Sequence, residues 1–136
     1  MALPSPPPLG AKALPDGTYA GQVVAVTGAG LGKGMAVEFA RLGAKIAVLS
    51  RKPEHLEAGL AAIRDVGAEA LAVACDVRDP DAIAAAFDAI EAKLGPVDVL
   101  INNAAGNFPA PAEEMTPNGF RTVVDIVLNG TYNCSR

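Results

Sequence analysis

From Gln22 onward the sequence switches repeatedly between two hydrophobic periods, and few architectures accept such a pattern. "VVAV" (Val23–Val26), "IAVLS" (Ile46–Ser50), "ALAVA" (Ala70–Ala74) and "VDVLI" (Val97–Ile101) are short, nearly continuous apolar runs, as expected of strands covered on both faces. Between them, apolar residues recur at helical spacing: Met35, Phe39 and Leu42, then Leu56, Leu60 and Ile63, then Ile83, Phe87, Ile90 and Leu94. Asp79-Pro80 and Thr116-Pro117 each read as an N-cap followed by proline at the first helical position. Gly43, Gly67 and Gly95 stand where the helices should stop.

The order is therefore β-α-β-α-β-α-β-loop-α. With right-handed crossovers it yields an α/β fold, a doubly wound parallel sheet with helices on both faces in the Rossmann-like arrangement. Such a sheet usually continues to about six strands. Residues 21–136 are thus expected to form about four strands, the truncated N-terminal half of a larger domain, with "VDVLI" an open edge. Residues 1–20, with Pro4, Pro6, Pro7, Pro8 and Pro15, read as a Pro-rich flexible leader that lacks the features of a signal peptide.

Composition narrows the function classes. A net charge of −4 argues against a nucleic-acid partner, which needs a basic face. No apolar run approaches about 18 residues, so no membrane span is expected. Cys75 and Cys134 have no metal-ligand spacing and make no disulfide framework; no metal is expected, and a reducing, cytoplasmic setting is.

The chemistry begins at "TGAGLGKGM" (Thr27–Met35), where the first strand meets the first helix and backbone N–H groups can hold a pyrophosphate. A P-loop would need one more residue before Gly32-Lys33 and a hydroxyl at Gly34. The spacing G-x-G-x-x-G fails because Lys33 stands where the third glycine belongs. T-G-x3-G-x-G fits through Thr27, Gly28, Gly32 and Gly34, although a plain glycine-rich turn between a strand and a helix is the competing reading.

That loop, "CDV" (Cys75–Val77) after the third strand and "NNAAG" (Asn102–Gly106) after the fourth resemble the short-chain dehydrogenase/reductases. The resemblance implies a nicotinamide cofactor held by Thr27, Gly28, Gly30, Leu31, Gly32, Asp76, Val77, Asn103 and Ala104 at the carboxyl ends of the strands. An acidic residue roughly 20 positions beyond the glycines would mark NAD. Here Arg51 and Lys52 end the second strand instead; a guanidinium can bond a 2′-phosphate bidentately, so NADP(H) is inferred. Solvated charge before a helix remains the plain alternative for both residues.

Within that superfamily, "GLGKGM", "SRK", "CDVRDPD", "INNAAGNF" and "DIVLNGT" are similar to the 2,4-dienoyl-CoA reductases. Val127 stands where many relatives carry an Asn, a departure this subfamily shares. The resemblance implies hydride transfer from NADPH to C5 of a 2,4-dienoyl thioester and protonation at C2, giving a 3-enoyl-CoA in fatty acid β-oxidation. Asn107 matches the family's active-site Asn and would donate to the thioester oxygen. Arg78, Phe108 and Thr116 match positions lining the acyl-CoA site, with an exposed charge and an N-cap as plain readings of Arg78 and Thr116. His55, the sole histidine, is expected in an exposed first turn and uninvolved.

Two departures follow from the same alignment. The glycine loop is about two residues short, spanning at most roughly 7 Å less, which is expected to withdraw N–H donors and unwind part of the first helical turn at Gly34. The family's Tyr and Lys match no residue up to Arg136, so this chain alone is expected not to reduce a dienoyl-CoA. The apolar Phe120, Val123, Val124, Val127 and Leu128 are expected on a buried face, covered by the rest of the domain or by a second subunit of a homo-oligomer. Another short-chain carbonyl or enoyl reductase, a catalytically silent NADP-binding protein and an unfolded remnant stay open as alternatives.

Overall fold

The computed structural model describes residues 14–136. Residues 1–13, most of the expected leader, lie outside the described residues. Four parallel strands, β1 (Val23–Thr27), β2 (Lys45–Ser50), β3 (Ala70–Ala74) and β4 (Val99–Ile101), form one sheet in the order β3-β2-β1-β4. Helices α1 (Gly32–Arg41), α2 (Pro53–Asp65) and α3 (Pro80–Leu94) connect them, and α4 (Pro117–Val124) follows β4. From α4 the chain continues through a π-helical turn, Asp125–Asn129, into α5 (Gly130–Ser135).

The period-2 alternation of the strands builds two cores. Val24, Val26, Ile46 and Val48 face Ala36, Ala40 and Ile63 of α1 and α2. Val23, Ala25, Ala47 and Leu49 face Ile83, Ala86, Ile90 and Leu94 of α3, with Ile126 and Cys134 closing that layer. The α/β class, the parallel sheet and its coverage on both faces agree with the sequence reading.

Helix phase is where the structure departs. The residues of α1 that meet the sheet are Gly32, Ala36 and Ala40, whereas Met35 is exposed and Phe39 and Leu42 are half-buried. In α2 they are Gly59 and Ile63, with Leu56 and Leu60 only half-buried. Small residues let these helices lie close against the strands, so the large apolar residues fall to the flanks. Part of the displaced face is used nearby: the Tyr19 ring, within the span read as leader, meets Phe39 edge-on with centroids 4.8 Å apart, and its N–H donates to Leu42 O.

The fourth strand starts at Val99 rather than Val97, because the Asp98 carboxylate accepts the Val23 N–H at 2.8 Å in place of a ladder partner. Strand β4 lies at the sheet edge with Val99, Leu100 and Ile101 half-buried. Asp79 and Thr116 are N-caps as expected, accepting from Asp81 and Ala82 N–H and from Gly119 N–H respectively. Phe120, Val127 and Leu128 are 62%, 42% and 65% exposed and Val123 and Val124 half-buried, so the face expected to be covered stands open in this chain.

Candidate functional site

The register brings the carboxyl ends of the strands level: Thr27 pairs with Leu49, Ser50 with Ala74 and Val26 with Ile101. The chain leaves β1 toward β2 on one side and later returns to β4 on the other, so β1 and β4 flank a topological switch point. Open α/β sheets bind ligands in the crevice at such a point. Here a crevice of about 290 Å³ opens there, between the β1–α1 loop, the ends of β2 and β3 and the loop after β4.

Thr27 and Asn103 close the floor of this crevice. The Thr27 hydroxyl accepts the N–H groups of Asn103 and Ala104 at 3.1 and 3.0 Å and donates to Ile101 O at 3.4 Å. The Asn103 amide donates back to Thr27 O and Gly28 O at 2.9 and 2.8 Å. The adjacent Asn102 turns the other way and donates to Ser135 of α5 at 3.0 Å. Gly28 must be glycine twice over: its φ is +76°, and a Cβ there would stand 2.8 Å from Ala104 Cα. A Cβ on Gly32 would likewise meet Asn103 Nδ2 at 2.8 Å.

Helix α1 begins at Gly32, and Leu31 before it already has helical angles, φ −68° and ψ −34°. The expected unwinding at Gly34 does not occur, since α1 runs from Gly32 through its first turn. Among the described residues, the N–H groups of Gly30 and Leu31 find no acceptor, whereas those of Gly28, Gly32 and Gly34 bond to Leu49, Gly28 and Leu31 carbonyls. No side chain caps α1. Free donors at the positive end of a helix fit a phosphate.

The opposite wall is cationic. Ser50 Oγ accepts Lys52 N–H at 3.2 Å and turns the chain so that Arg51 and Lys52 both line the crevice. Arg51 lies 3.6 Å from Asp76, which also takes Arg78 through Nε and Nη2, the latter at 2.6 Å. The Arg78 hydrogen bond, and then the charges of Arg78 and Arg51, hold the Asp76 carboxyl down at about 2 against a smaller opposing effect of burial. Burial first, then Cys134, Asp76 and Asp79, push the neighbouring Cys75 thiol up to about 11.

Of the residues expected at the site, Gly28, Gly30, Leu31, Arg51, Lys52, Asp76, Val77, Asn103, Ala104 and Asn107 line this one crevice. Thr27 and Gly32 stand behind it as supports, because the Thr27 oxygen is occupied by β4 donors and Gly32 backs Asn103. Phe108 and Thr116 come together elsewhere, both against Gly119 of α4. Arg78 joins neither group; it lines a separate polar hollow with Asp125, Asn129, Tyr132 and Asn133 while bound to Asp76. Gly130 of "DIVLNGT" is explained by packing, since a Cβ there would reach 2.6 Å from Val77 Cγ2. His55 lies in the first turn of α2 as expected, but it is half-buried rather than exposed and it lines the crevice.

A family model described as short chain dehydrogenase matches residues 22–136. The chain belongs to the short-chain dehydrogenase family. It is 47% identical over 125 residues to an uncharacterised oxidoreductase of Caenorhabditis elegans, covering 89% of this chain and 40% of that protein. It is 41% identical over 115 residues to a peroxisomal 2,4-dienoyl-CoA reductase of Arabidopsis thaliana, covering 83% and 39%. Among solved structures, a short chain dehydrogenase from Bacillus anthracis superposes with a TM-score of 0.79 at 45% identity, over 85% of this chain and 48% of that one. The chain thus spans about 40% of the length of the curated relatives it matches. Short-chain dehydrogenases bind nicotinamide cofactors. No described helix is long and apolar enough to cross a membrane.

Proposed function

We propose that this chain is the cofactor-binding part of an NADPH-dependent short-chain oxidoreductase that reduces 2,4-dienoyl-CoA thioesters to 3-enoyl-CoA. The observation that carries the cofactor choice is the wall of Arg51 and Lys52 where an NAD enzyme would present a carboxylate. Gly30 and Leu31 N–H groups would take the pyrophosphate, and Gly28 lets the backbone approach it closely. Asp76, Val77, Asn103 and Ala104 would border the adenosine. A bound NADPH supplies the hydride.

Asn107 also lines the crevice, and its side-chain amide would donate to the thioester oxygen as negative charge develops. Phe108 and Thr116, side by side over Gly119, would flank the acyl-CoA chain. Phe120, Val127, Leu128 and Tyr132 are exposed, and a second subunit of a homo-oligomer is one way such apolar residues would be covered.

The test is a fluorescence titration of NADPH and NADH into wild type and Arg51→Ala. One charged hydrogen bond contributes roughly 1.5–3 kcal/mol, so the variant should bind NADPH about ten- to a hundredfold more weakly. The Arg51–Asp76 pair places the effect toward the lower end, because the guanidinium must share itself with a carboxylate. Equal losses for NADPH and NADH would refute the NADP(H) assignment.

A further inference from the structure

The first turn of α2 carries a histidine to which the family pattern gives no role, and the fold holds it over the glycine loop. A Cβ built on Gly30 would stand 3.3 Å from His55 Cε1 and 3.4 Å from Nδ1, so the ring occupies the space that a side chain at position 30 would need. The phase of α2 puts it there. One turn along, a Cβ on Gly59 would meet Val48 Cγ2 at 3.6 Å and Ala29 Cβ at 3.8 Å, and one turn beyond that Ile63 is fully buried. His55, Gly59 and Ile63 therefore run down one face of α2. Helical side chains lean toward the N-terminus, which carries the imidazole past the end of β2 to the loop. That loop offers little bulk of its own, only Gly28 to Leu31 between β1 and α1.

We infer that His55 is a third ligand of the ribose 2′-phosphate, joining Arg51 and Lys52. The inference rests on the NADP(H) reading above and adds to it a residue that sets cofactor specificity. The three side chains line the same crevice and come from one short segment at the β2–α2 junction. Among the described residues, the other charged group lining it is Asp76, which is already bound to Arg78 and Arg51. A phosphate monoester presents three strong acceptor oxygens. Arg51 shares its charge with Asp76, so a donor without a carboxylate partner among the described residues adds selectivity that Arg51 alone does not give. An imidazole donates an N–H to phosphate in either protonation state.

The experiment is isothermal calorimetry of the purified protein with NADPH, NADH and adenosine 2′,5′-bisphosphate, comparing wild type, His55→Ala and His55→Gln. His55→Ala should weaken NADPH and the bisphosphate about tenfold and change NADH by less than about twofold. His55→Gln, which keeps a side-chain N–H donor, should recover part of the loss. Alanine favours helix and the site is half-buried, so circular dichroism should show a folded variant. Unchanged NADPH affinity in both variants, or equal losses for NADPH and NADH, overturns the assignment. If the wild type binds neither dinucleotide, the cofactor reading falls and the role of His55 falls with it.

Discussion

Asp76 stands between two guanidinium groups at the mouth of the crevice, and its ionisation is coupled to folding. Held at about 2 by Arg78 and Arg51, it is still charged in the folded chain at a pH where an unfolded carboxyl has taken up a proton. The unfolded state then binds more protons, so stability falls as pH drops from about 4 to about 2. Above that window the contribution is fully present. Asp76→Asn removes it, and acid unfolding followed by circular dichroism should show a shallower slope between pH about 4 and about 2 than the wild type. Identical slopes would mean that the arginines do not hold this carboxyl. Much at this scale could be read in advance. The family motifs name Gly28, Asp76 and Asn103, and a cation at a strand end names Arg51; all four line the crevice. His55 escaped because its neighbour, Gly30, lies 25 positions away and no local pattern ties the two.

Elements were easier to place than to orient. The strands and helices fall where the changes of hydrophobic period put them, yet the facing sides of α1 and α2 lie about one residue from the large apolar stripe. Glycine and alanine carry little hydrophobic weight in a periodicity, but they mark where a helix presses on a sheet. Reading Gly59 and Ile63 as the contact would have turned His55 inward. Element joints carry their own test. Thr27, 1% exposed, ties β1 to the loop after β4 by accepting two N–H groups. Thr27→Val keeps the shape and leaves both donors without that acceptor, at on the order of 2 kcal/mol or more. Calorimetry should show Tm lower by roughly 5 °C or more. A shift below about 1 °C would mean that the joint holds without the hydroxyl.

At the scale of the molecule, one topological fact organises the rest: β1 and β4 are neighbours although α1, β2, α2, β3 and α3 lie between them in sequence. That return crossing brings "TGAG", "SRK", "CDV" and "NNAAGN" to a single edge of the sheet, while Phe120 of α4, Val127 and Leu128 of the π-helical turn and Tyr132 of α5 stand exposed. The sequence pattern supported the crossing because continuous apolar runs separated by helices permit few parallel arrangements. It carried no information on the coverage of α4 and α5, since an apolar stripe looks the same whether a partner or more of the same chain meets it. The central claim is that the ends of β1 to β4 together hold a nicotinamide dinucleotide phosphate. The most direct measurement is NADPH titrated into ¹⁵N-labelled protein and followed by amide chemical shifts. We expect saturable shifts at Gly28 to Gly32, Arg51 to His55, Asp76, Val77, Asn103 and Ala104, with little change along α3. No saturable shift, or shifts gathered on α4 and α5 instead, would contradict it.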